Sequence, residues 1–240
     1  MALHLFCAVL AALLGAVLLT GLWILFSALA VPKGREYDAP SRYYRFVIDA
    51  AMAICRVALR MRITLEGREK LPEDGHYLLV GNHISAFDPF AVLLALRREK
   101  VTFISKPENL AIPVIGPVIR RAGFIAIDRE NPRAAVTAIR RASDWISAGH
   151  GPVMVYPEGT RSKTGELLPF HNAVFKAAQS AKCPVAVVAV AGTDKIRSRA
   201  PWRRTDIRLR VCAVLPAEEV AAGRTNAIGE RVRSLLLEDL

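Results

Sequence analysis

Hydrophobic and polar positions divide the chain into an apolar start, a short amphipathic stretch and a long stretch of mixed character. The first 32 of the 240 residues contain no Asp, Glu, Lys or Arg. Within residues 5–31 the apolar run is interrupted only by Gly15, Thr20, Gly21 and Ser27. As an α-helix this run would be about 40 Å long at ~1.5 Å per residue, whereas the hydrocarbon core of a bilayer is ~30 Å thick. The pattern therefore predicts an N-terminal transmembrane anchor over residues 1–32.

A cleaved signal peptide is the alternative to an anchor, because residues 28–30 resemble an A-x-A cleavage site. The residues before the apolar run include no Lys or Arg, however, and the run is longer than the apolar region of a signal peptide. A retained anchor is therefore favoured. Basic residues follow it at Lys33, Arg35, Arg42 and Arg45. By the positive-inside rule they predict a single-pass protein of the cell membrane whose remaining chain lies on the cytoplasmic side.

Residues 33–66 are predicted to form a linker and an amphipathic helix. Apolar residues recur at helical spacing over residues 41–62, and arginines occupy much of the remaining helix surface. Two interpretations stay open: a helix packed on the following domain, or a helix that lies in the membrane interface with its arginines against lipid phosphates. The position directly after the anchor favours the second.

From residue 77 onwards short apolar runs alternate with helical stretches, which is typical of an α/β domain, here assigned to residues 67–240. Strands are predicted at residues 77–80, 101–104, 124–127, 153–156, 185–190 and 207–214. Helices are predicted near residues 86–98, 132–148 and 172–181. The second helix has clear end signals, with Asn131 as N-cap, Pro132 in the first turn and Gly149 after the last.

The charge of the chain restricts its partners. Lys and Arg number 33 against 22 Asp and Glu, which gives a formal net charge of +11. Such a charge favours anionic partners, namely nucleic acid, an anionic membrane surface or phosphorylated substrates. Aromatic residues make up only 7% of the chain, and no basic stretch alternates with aromatics as a base-stacking surface would, so no nucleic acid is expected. The four cysteines are far apart, which indicates reduced thiols and no metal site.

The loop at residues 79–89 carries the first candidate chemistry. An apolar strand ends near Gly81, and Ser85 is predicted to begin a helix with Asp88 in its first turn. His83 then lies in the turn before the helix and can fold back onto Asp88. A carboxylate bound to one imidazole nitrogen fixes the tautomer and leaves the other nitrogen free to act as a base. A surface histidine beside a capping aspartate remains the alternative.

The loop at residues 153–163 carries the second set of candidate functional residues. An apolar strand leads into the sequence Pro-Glu-Gly-Thr-Arg at residues 157–161. Gly159 allows the backbone to approach a ligand closely, Thr160 offers a hydroxyl, and the planar guanidinium of Arg161 suits a phosphate. A polar loop without a binding function is the alternative.

Taken together and in this order, the two loops resemble the glycerolipid acyltransferase family, typified by the 1-acylglycerol-3-phosphate acyltransferases. The resemblance covers roughly residues 75–195. The matching positions are Asn82, His83 and Asp88 in the first motif, residues 123–129 in the second, residues 158–162 in the third, and Lys106, Pro113 and Gly116 between the first two.

The resemblance implies a mixed, mostly parallel sheet flanked by helices, and an O-acyltransferase that acts on a lysophospholipid. The lysophospholipid hydroxyl attacks the thioester of acyl-CoA or acyl-carrier protein, His83 takes the hydroxyl proton, and Asp88 orients His83. The favoured acceptor is 1-acylglycerol-3-phosphate, which gives phosphatidic acid in phospholipid biosynthesis. No metal or cofactor is implied beyond the acyl donor as co-substrate. The substrate-binding positions are Asn82, Lys106, Arg129, Glu158, Gly159, Thr160 and Arg161. Of these, Arg129 and Arg161 would pair with the acceptor's phosphate.

Several alternatives stay open. Residues 172–173 and Val187 differ from the family pattern, which favours testing other lysophospholipids or lyso-aminolipids as acceptors. The same dyad with water as acceptor would make a hydrolase, and a purely structural dyad would make a membrane-tethered lipid-binding module. The basic segment at residues 195–210, which includes Trp202, is either a solvated loop and strand or a contact with the membrane surface or the acyl donor.

Overall fold

The computed structural model describes residues 1–32, 35–128 and 130–240. Within these residues a seven-stranded sheet carries helices on both faces. The strands are β1 (Met61–Glu66), β2 (Leu78–Gly81), β3 (Thr102–Ser105), β4 (Ile125–Ala126), β5 (Val153–Val155), β6 (Val185–Ala191) and β7 (Thr205–Leu215). The α-helices are α1 (Ala2–Leu29), α2 (Arg42–Ala58), α3 (Asp88–Ala95), α4 (Pro107–Ala111), α5 (Ile115–Arg121), α6 (Pro132–Ser147), α7 (Lys176–Ala181), α8 (Ile196–Arg199), α9 (Ala217–Ala222) and α10 (Thr225–Asp239).

The strands follow the order β1-β7-β6-β2-β5-β3-β4 across the sheet. Strands β6, β2, β5, β3 and β4 run parallel, whereas β7 is antiparallel to β6 and β1 is parallel to β7. The prediction of a mixed, mostly parallel sheet flanked by helices is therefore confirmed. Because the parallel strands all end on the same side, the loops after them gather at one edge of the sheet, here named the carboxyl edge. The opposite edge is named the amino edge.

The sheet is covered on both faces, which explains why its central strands are almost purely apolar. Strand β6 reads Val-Ala-Val-Val-Ala-Val-Ala, and six of its seven residues are buried. One face packs against α6 and α10, around Trp145 and Leu236. The other packs against α2 and α3, around Val47 and Val92. Together the two layers hold the carboxyl edge in place.

The predicted end signals of α6 are present. The Asn131 side chain accepts hydrogen bonds from the backbone N–H groups of Arg133 (3.1 Å) and Ala134 (3.2 Å). These bonds satisfy two of the N–H groups that a first helical turn leaves without partners. Pro132 is the first helical residue, and Gly149 after the last turn has a φ of 70°, a conformation that glycine adopts without strain.

The structure differs from the sequence prediction after α2. The helix predicted over residues 41–62 ends at Ala58, and Arg60 has a left-handed backbone with a φ of 50°. The following residues form the edge strand β1, so the sheet begins inside the stretch 33–66 that was expected to be linker and helix. The alternation of only six residues is too weak to reveal a strand whose partner begins as far along the chain as Thr205.

Two predicted helices also begin later than expected. The helix expected from Ser85 begins at Asp88. The residues before it form a turn instead, in which the Asp88 N–H donates to the Ser85 carbonyl at 3.3 Å. The helix expected near residues 172–181 starts as the 3₁₀ turn Asn172–Phe175 and continues as α7.

Helix α1 is long and apolar enough to cross a membrane, with a mean hydropathy of 2.6 in an 18-residue window of His4–Leu29. Polar contacts join its last turns to α2. The indole N–H of Trp23 donates to the Tyr43 hydroxyl at 2.9 Å, and the Tyr44 hydroxyl donates to the Ser27 carbonyl at 2.9 Å. By length and composition α1 fits the predicted anchor.

Helix α2 has two apolar faces. Tyr44, Val47 and Ile48 are buried between α2 and the rest of the domain. Phe46 and Val57 point outward and are 59% and 77% exposed. The buried face agrees with a helix that packs on the domain. The exposed apolar side chains agree with a helix that lies in the membrane interface. Its position in a membrane interface stays a prediction.

Candidate active site

The carboxyl edge collects candidate residues from four strands. Strand β2 leads into His83, β5 into the loop of Glu158, β3 into Lys106, and β6 into Thr193. The loops after β2 and β5 lie in the middle of this edge because those two strands are neighbours. Open α/β sheets bind their ligands at this position.

A His–Asp dyad lies at the centre of the edge. Nδ1 of His83 is 2.7 Å from Oδ2 of Asp88. A carboxylate can only accept, so Nδ1 carries the hydrogen and Nε2 keeps a free lone pair. The Asp88 side chain is completely buried, whereas 18% of the His83 side chain is exposed. The predicted return of His83 onto Asp88 is thus present, with the free nitrogen on the open side.

The Asp88 carboxylate is held by further donors. Its Oδ2 also accepts the backbone N–H groups of Ile84 and Ser85, both at 2.8 Å. Its Oδ1 accepts the hydroxyl of Thr193, and the Ser85 hydroxyl in turn donates to the Thr193 carbonyl at 3.1 Å. These bonds fix the rotamer of Asp88 and, through it, the plane of the His83 ring.

Thr193 is a positioning residue that the sequence prediction missed. We expect Thr193→Val to lower kcat by about 3- to 10-fold, because Oδ1 of Asp88 would lose its hydrogen-bond donor while remaining buried. Thr193→Ser should keep wild-type activity. Steady-state rates of the two variants, with thermal unfolding in the same detergent, check this. Equal rates for the Val and Ser variants would contradict it.

The Tyr156 ring packs against one face of the His83 imidazole. The two rings stack with the centroids 4.2 Å apart and an interplanar angle of 12°. Burial raises the pKa of Tyr156 well above its usual value, so the hydroxyl stays protonated. Among the described residues this hydroxyl has no hydrogen-bond partner. The ring, rather than the hydroxyl, therefore carries the contribution of Tyr156 to the site.

Two substitutions of Tyr156 separate these roles. We expect Tyr156→Phe to keep kcat within about twofold, whereas Tyr156→Leu should lower it by up to about tenfold, since aromatic pairs contribute ~0.5–1.5 kcal/mol beyond their buried area. The KM values should hardly change, because Tyr156 acts through His83. Steady-state kinetics of both variants check this, and a Phe variant as slow as the Leu variant would contradict it.

Asn82 and Glu158 face the protein rather than the open edge. The Asn82 side chain donates to the Val190 carbonyl (2.9 Å) and accepts the Val190 N–H (2.8 Å), which extends the pairing of β2 with β6. The two oxygens of Glu158 accept the N–H groups of His83 (2.6 Å) and Leu168 (2.9 Å). Burial raises the pKa of Glu158, and these two bonds oppose the rise. Both side chains therefore hold the backbone around His83, and the substrate contact expected of them from the sequence stays a prediction.

The other expected substrate-binding residues differ in exposure. Gly159 is buried with a φ of 75°, and it turns the chain so that Thr160 and Arg161 are exposed at the tip of the loop. Lys106 is exposed at the start of α4. Arg129 lies outside the described residues. Thr160, Arg161 and Lys106 are thus the described members of the set that are accessible to a ligand.

The cysteines are poorly suited to nucleophilic catalysis. All four are free thiols. Burial raises the pKa of Cys183 to about 11 and, with a contribution from Asp239, that of Cys212 to about 12. Burial also raises the pKa of Cys55. Because the thiolate is the reactive form, the raised pKa makes these three thiols weak nucleophiles at neutral pH.

The fold and the site define a mostly parallel α/β protein with a His–Asp dyad at its carboxyl edge. The family model described as Acyltransferase matches residues 62–191, which is just over half of the chain. The chain therefore belongs to the Acyltransferase family.

Individual relatives carry a more specific name. The chain is 32% identical over 148 residues to a 1-acyl-sn-glycerol-3-phosphate acyltransferase of Cocos nucifera, which covers 62% of this chain and 46% of the relative. It is 27% identical over 222 residues to the alpha form of that enzyme in Homo sapiens, covering 90% of this chain and 76% of the relative. The chain spans about half the length of the first of these relatives.

A solved structure has the same fold. The crystal structure of the 1-acyl-sn-glycerophosphate acyltransferase PlsC from Thermotoga maritima matches with a TM-score of 0.66 and 21% sequence identity. The match covers 91% of this chain and 87% of the other. Because the match leaves out fewer residues than α1 and α2 contain together, it includes at least part of these two helices.

Proposed function

We propose that this protein transfers a fatty acyl group from the thioester of acyl-CoA or acyl-carrier protein to the free hydroxyl of 1-acylglycerol-3-phosphate, giving phosphatidic acid. The observation that carries the proposal is the dyad, in which Asp88 binds Nδ1 of His83 and leaves Nε2 open at the carboxyl edge. The family and the names of the relatives support the substrate class.

The reaction needs one base and no protein nucleophile. Nε2 of His83 takes the proton of the acceptor hydroxyl as its oxygen attacks the thioester carbonyl. The carbon–sulfur bond of the tetrahedral intermediate then breaks, and the protonated His83 returns the proton to the leaving thiolate. Asp88 stabilises the imidazolium between these two steps. The raised pKa values of Cys55, Cys183 and Cys212 favour this direct transfer over an acyl-cysteine intermediate, and the scheme requires no metal or cofactor.

Arg161 is our candidate for binding the acceptor phosphate. Its side chain is exposed in the loop after β5, which lies directly beside the loop of His83. The two loops are joined by a hydrogen bond from the Ser162 N–H to the His83 carbonyl at 2.8 Å. Within the described residues Arg161 forms no ion pair, so its guanidinium is free to pair with a phosphate in a bidentate manner. Lys106 can supply a second cation from the loop after β3.

We expect Arg161→Ala to raise the KM for the lysophospholipid by about 10- to 100-fold and to leave the KM for the acyl donor unchanged, since a charge-assisted pair contributes ~1.5–3 kcal/mol. Arg161→Lys should recover part of the affinity, because it keeps the charge and loses the planar fork. Steady-state kinetics in which each substrate is varied separately provide the measurement. Lys163→Ala, at an exposed position in the same loop, is the matched control.

The opposite kinetic pattern would contradict this assignment. An Arg161→Ala variant with an unchanged lysophospholipid KM and a raised donor KM would place Arg161 at the donor instead. Arg129 would then be the remaining arginine proposed for the phosphate.

We further propose that α1 anchors the protein in the cell membrane with the catalytic domain on the cytoplasmic side. The length and apolar composition of α1 support the anchor, and Arg35, Arg42 and Arg45 after it support the orientation. Protease digestion of sealed, inside-out vesicles should remove the domain. Protection in such vesicles and digestion in right-side-out ones would reverse the orientation.

A further inference from the structure

The segment after β6 begins at the dyad and ends in a basic surface. Thr193, which binds Asp88, opens a short turn that continues into α8 and then into the loop before β7. Residues 195–204 contain no acidic residue. Their cations are Lys195, Arg197, Arg199, Arg203 and Arg204. We name residues 195–204 the basic loop.

Trp202 stands out from the basic loop. Its side chain is 85% exposed, the highest exposure of any large apolar residue of the described chain after the terminal Met1. An indole costs free energy in water and is favoured at the boundary between lipid headgroups and acyl chains. Arginines beside it match the phosphates of anionic lipids. The combination of an exposed indole with clustered cations favours a membrane contact more strongly than either feature alone.

The far side of the carboxyl edge carries apolar residues too. Ile112, which follows α4, and Ile115, which begins α5, are 40% and 52% exposed, and the connection between these two helices lies after β3. The strand order β6-β2-β5-β3 places the loops of His83 and Glu158 between this connection and the basic loop. Exposed apolar side chains thus lie on both sides of the dyad along one edge.

We propose that the basic loop is a second membrane contact, with Trp202 in the headgroup region of an anionic phospholipid bilayer and the arginines against lipid phosphates. This contact turns the carboxyl edge toward the bilayer, so that a lysophospholipid reaches His83 without leaving the membrane. The inference rests on the proposed function for its purpose, but the contact itself can be measured without any turnover.

The acidic acyl donor is the competing occupant of the basic loop. Charge alone would serve CoA or acyl-carrier protein equally well. The exposed indole favours the bilayer, because a binding site for a highly charged donor gains little from an apolar side chain held out in water. A bilayer contact and a donor contact at the basic loop give different results in fluorescence and in kinetics.

Fluorescence of the full chain in vesicles tests the contact directly. The difference between wild-type protein and Trp202→Phe isolates the emission of Trp202, because Trp23 and Trp145 contribute to both. In vesicles of phosphatidylcholine and phosphatidylglycerol we expect this emission to shift to shorter wavelength and to be quenched by brominated acyl chains. Emission that stays at the wavelength of a hydrated indole, with no quenching by brominated lipid, would overturn the proposal.

Kinetics separate the membrane from the donor. We expect Trp202→Ala/Arg203→Ala to raise the half-saturating concentration of vesicle-bound lysophospholipid by at least about tenfold, since each basic residue adds to anionic-lipid affinity. The double variant should use a monomeric short-chain lysophospholipid as efficiently as the wild-type protein does. Arg140→Ala, an exposed arginine on α6, is the control. A raised KM for the acyl donor with both acceptors would assign the basic loop to the donor and overturn the proposal.

Failure of the proposed function would give a different result. A protein that acylates no acceptor would show no rate in either kinetic arm. The fluorescence of Trp202 in anionic vesicles would still report whether the basic loop binds the bilayer.

Discussion

His83→Ala is expected to lower kcat for acyl transfer by about 10²–10⁴-fold, the usual contribution of a positioned general base. The reason lies in the geometry, because Nε2 of His83 is the open nitrogen of a ring that Asp88 and Tyr156 hold in place. The measurement is single-turnover and steady-state transfer of a labelled acyl group at saturating acceptor. Circular dichroism and membrane attachment should match those of wild type.

The control for this substitution is His76→Ala. His76 precedes β2 and therefore lies at the amino edge, away from the dyad. It should keep wild-type turnover. If His83→Ala retained more than about a tenth of the wild-type rate, a general-base mechanism at His83 would be wrong.

Asp88→Asn is expected to cost about 10²–10⁴-fold in kcat as well. An amide can keep its oxygen at the position of Oδ2, and the Thr193 hydroxyl can rotate to accept from the amide nitrogen, so the geometry survives. The negative charge does not survive, and the imidazolium formed during transfer loses its stabilisation. Alternatively, the amide adopts the flipped orientation, in which its nitrogen faces Nδ1 of His83 and forces the wrong tautomer on the imidazole. Both outcomes slow the chemical step and leave the KM values nearly unchanged.

Thermal unfolding of Asp88→Asn gives a second readout. A merely structural role for Asp88 would lower the thermal stability and leave the kcat of the folded variant close to that of the wild-type protein. A folded variant that keeps at least half of the wild-type kcat would contradict a catalytic role for the Asp88 carboxylate.

The dyad was predictable because it is local. His83 and Asp88 are five positions apart in one loop, and the residue types alone suggest a turn that returns the histidine to the carboxylate. The same locality made the caps of α6 predictable from Asn131 and Pro132. Patterns within one helix or loop are set by short-range sterics and hydrogen bonds, which the sequence displays directly.

Contacts between distant parts of the chain were not predictable in this way. Thr193 lies 105 positions from Asp88, and only the pairing of β6 with β2 brings it to the carboxylate. Tyr156 stands in a strand-like run, where nothing in the sequence distinguishes a core side chain from one stacked on His83. The same limit hid β1, whose pairing with β7 joins opposite ends of the domain.

Glu158 and Asn82 illustrate a further limit. Their residue types, a carboxylate and an amide beside the dyad, suit a substrate contact as well as a structural one. In the structure both side chains form hydrogen bonds with backbone groups. Glu158 binds the backbone of His83 and Leu168, and Asn82 binds the backbone of Val190. Which polar groups in a loop are already paired is a property of the folded chain, and motif spacing does not reveal it.

The most direct test of acyl transfer to a lysolipid is mass spectrometry of the products formed from a mixed lysolipid panel and an isotope-labelled acyl donor. The panel should contain 1-acylglycerol-3-phosphate, other lysophospholipids and a lyso-aminolipid, with acyl-CoA and acyl-carrier protein offered in turn. We expect labelled phosphatidic acid as the main product of the wild-type protein and none above background from His83→Ala. Labelled free fatty acid as the main product would indicate a hydrolase, and no labelled product with any acceptor or donor would contradict acyl transfer altogether.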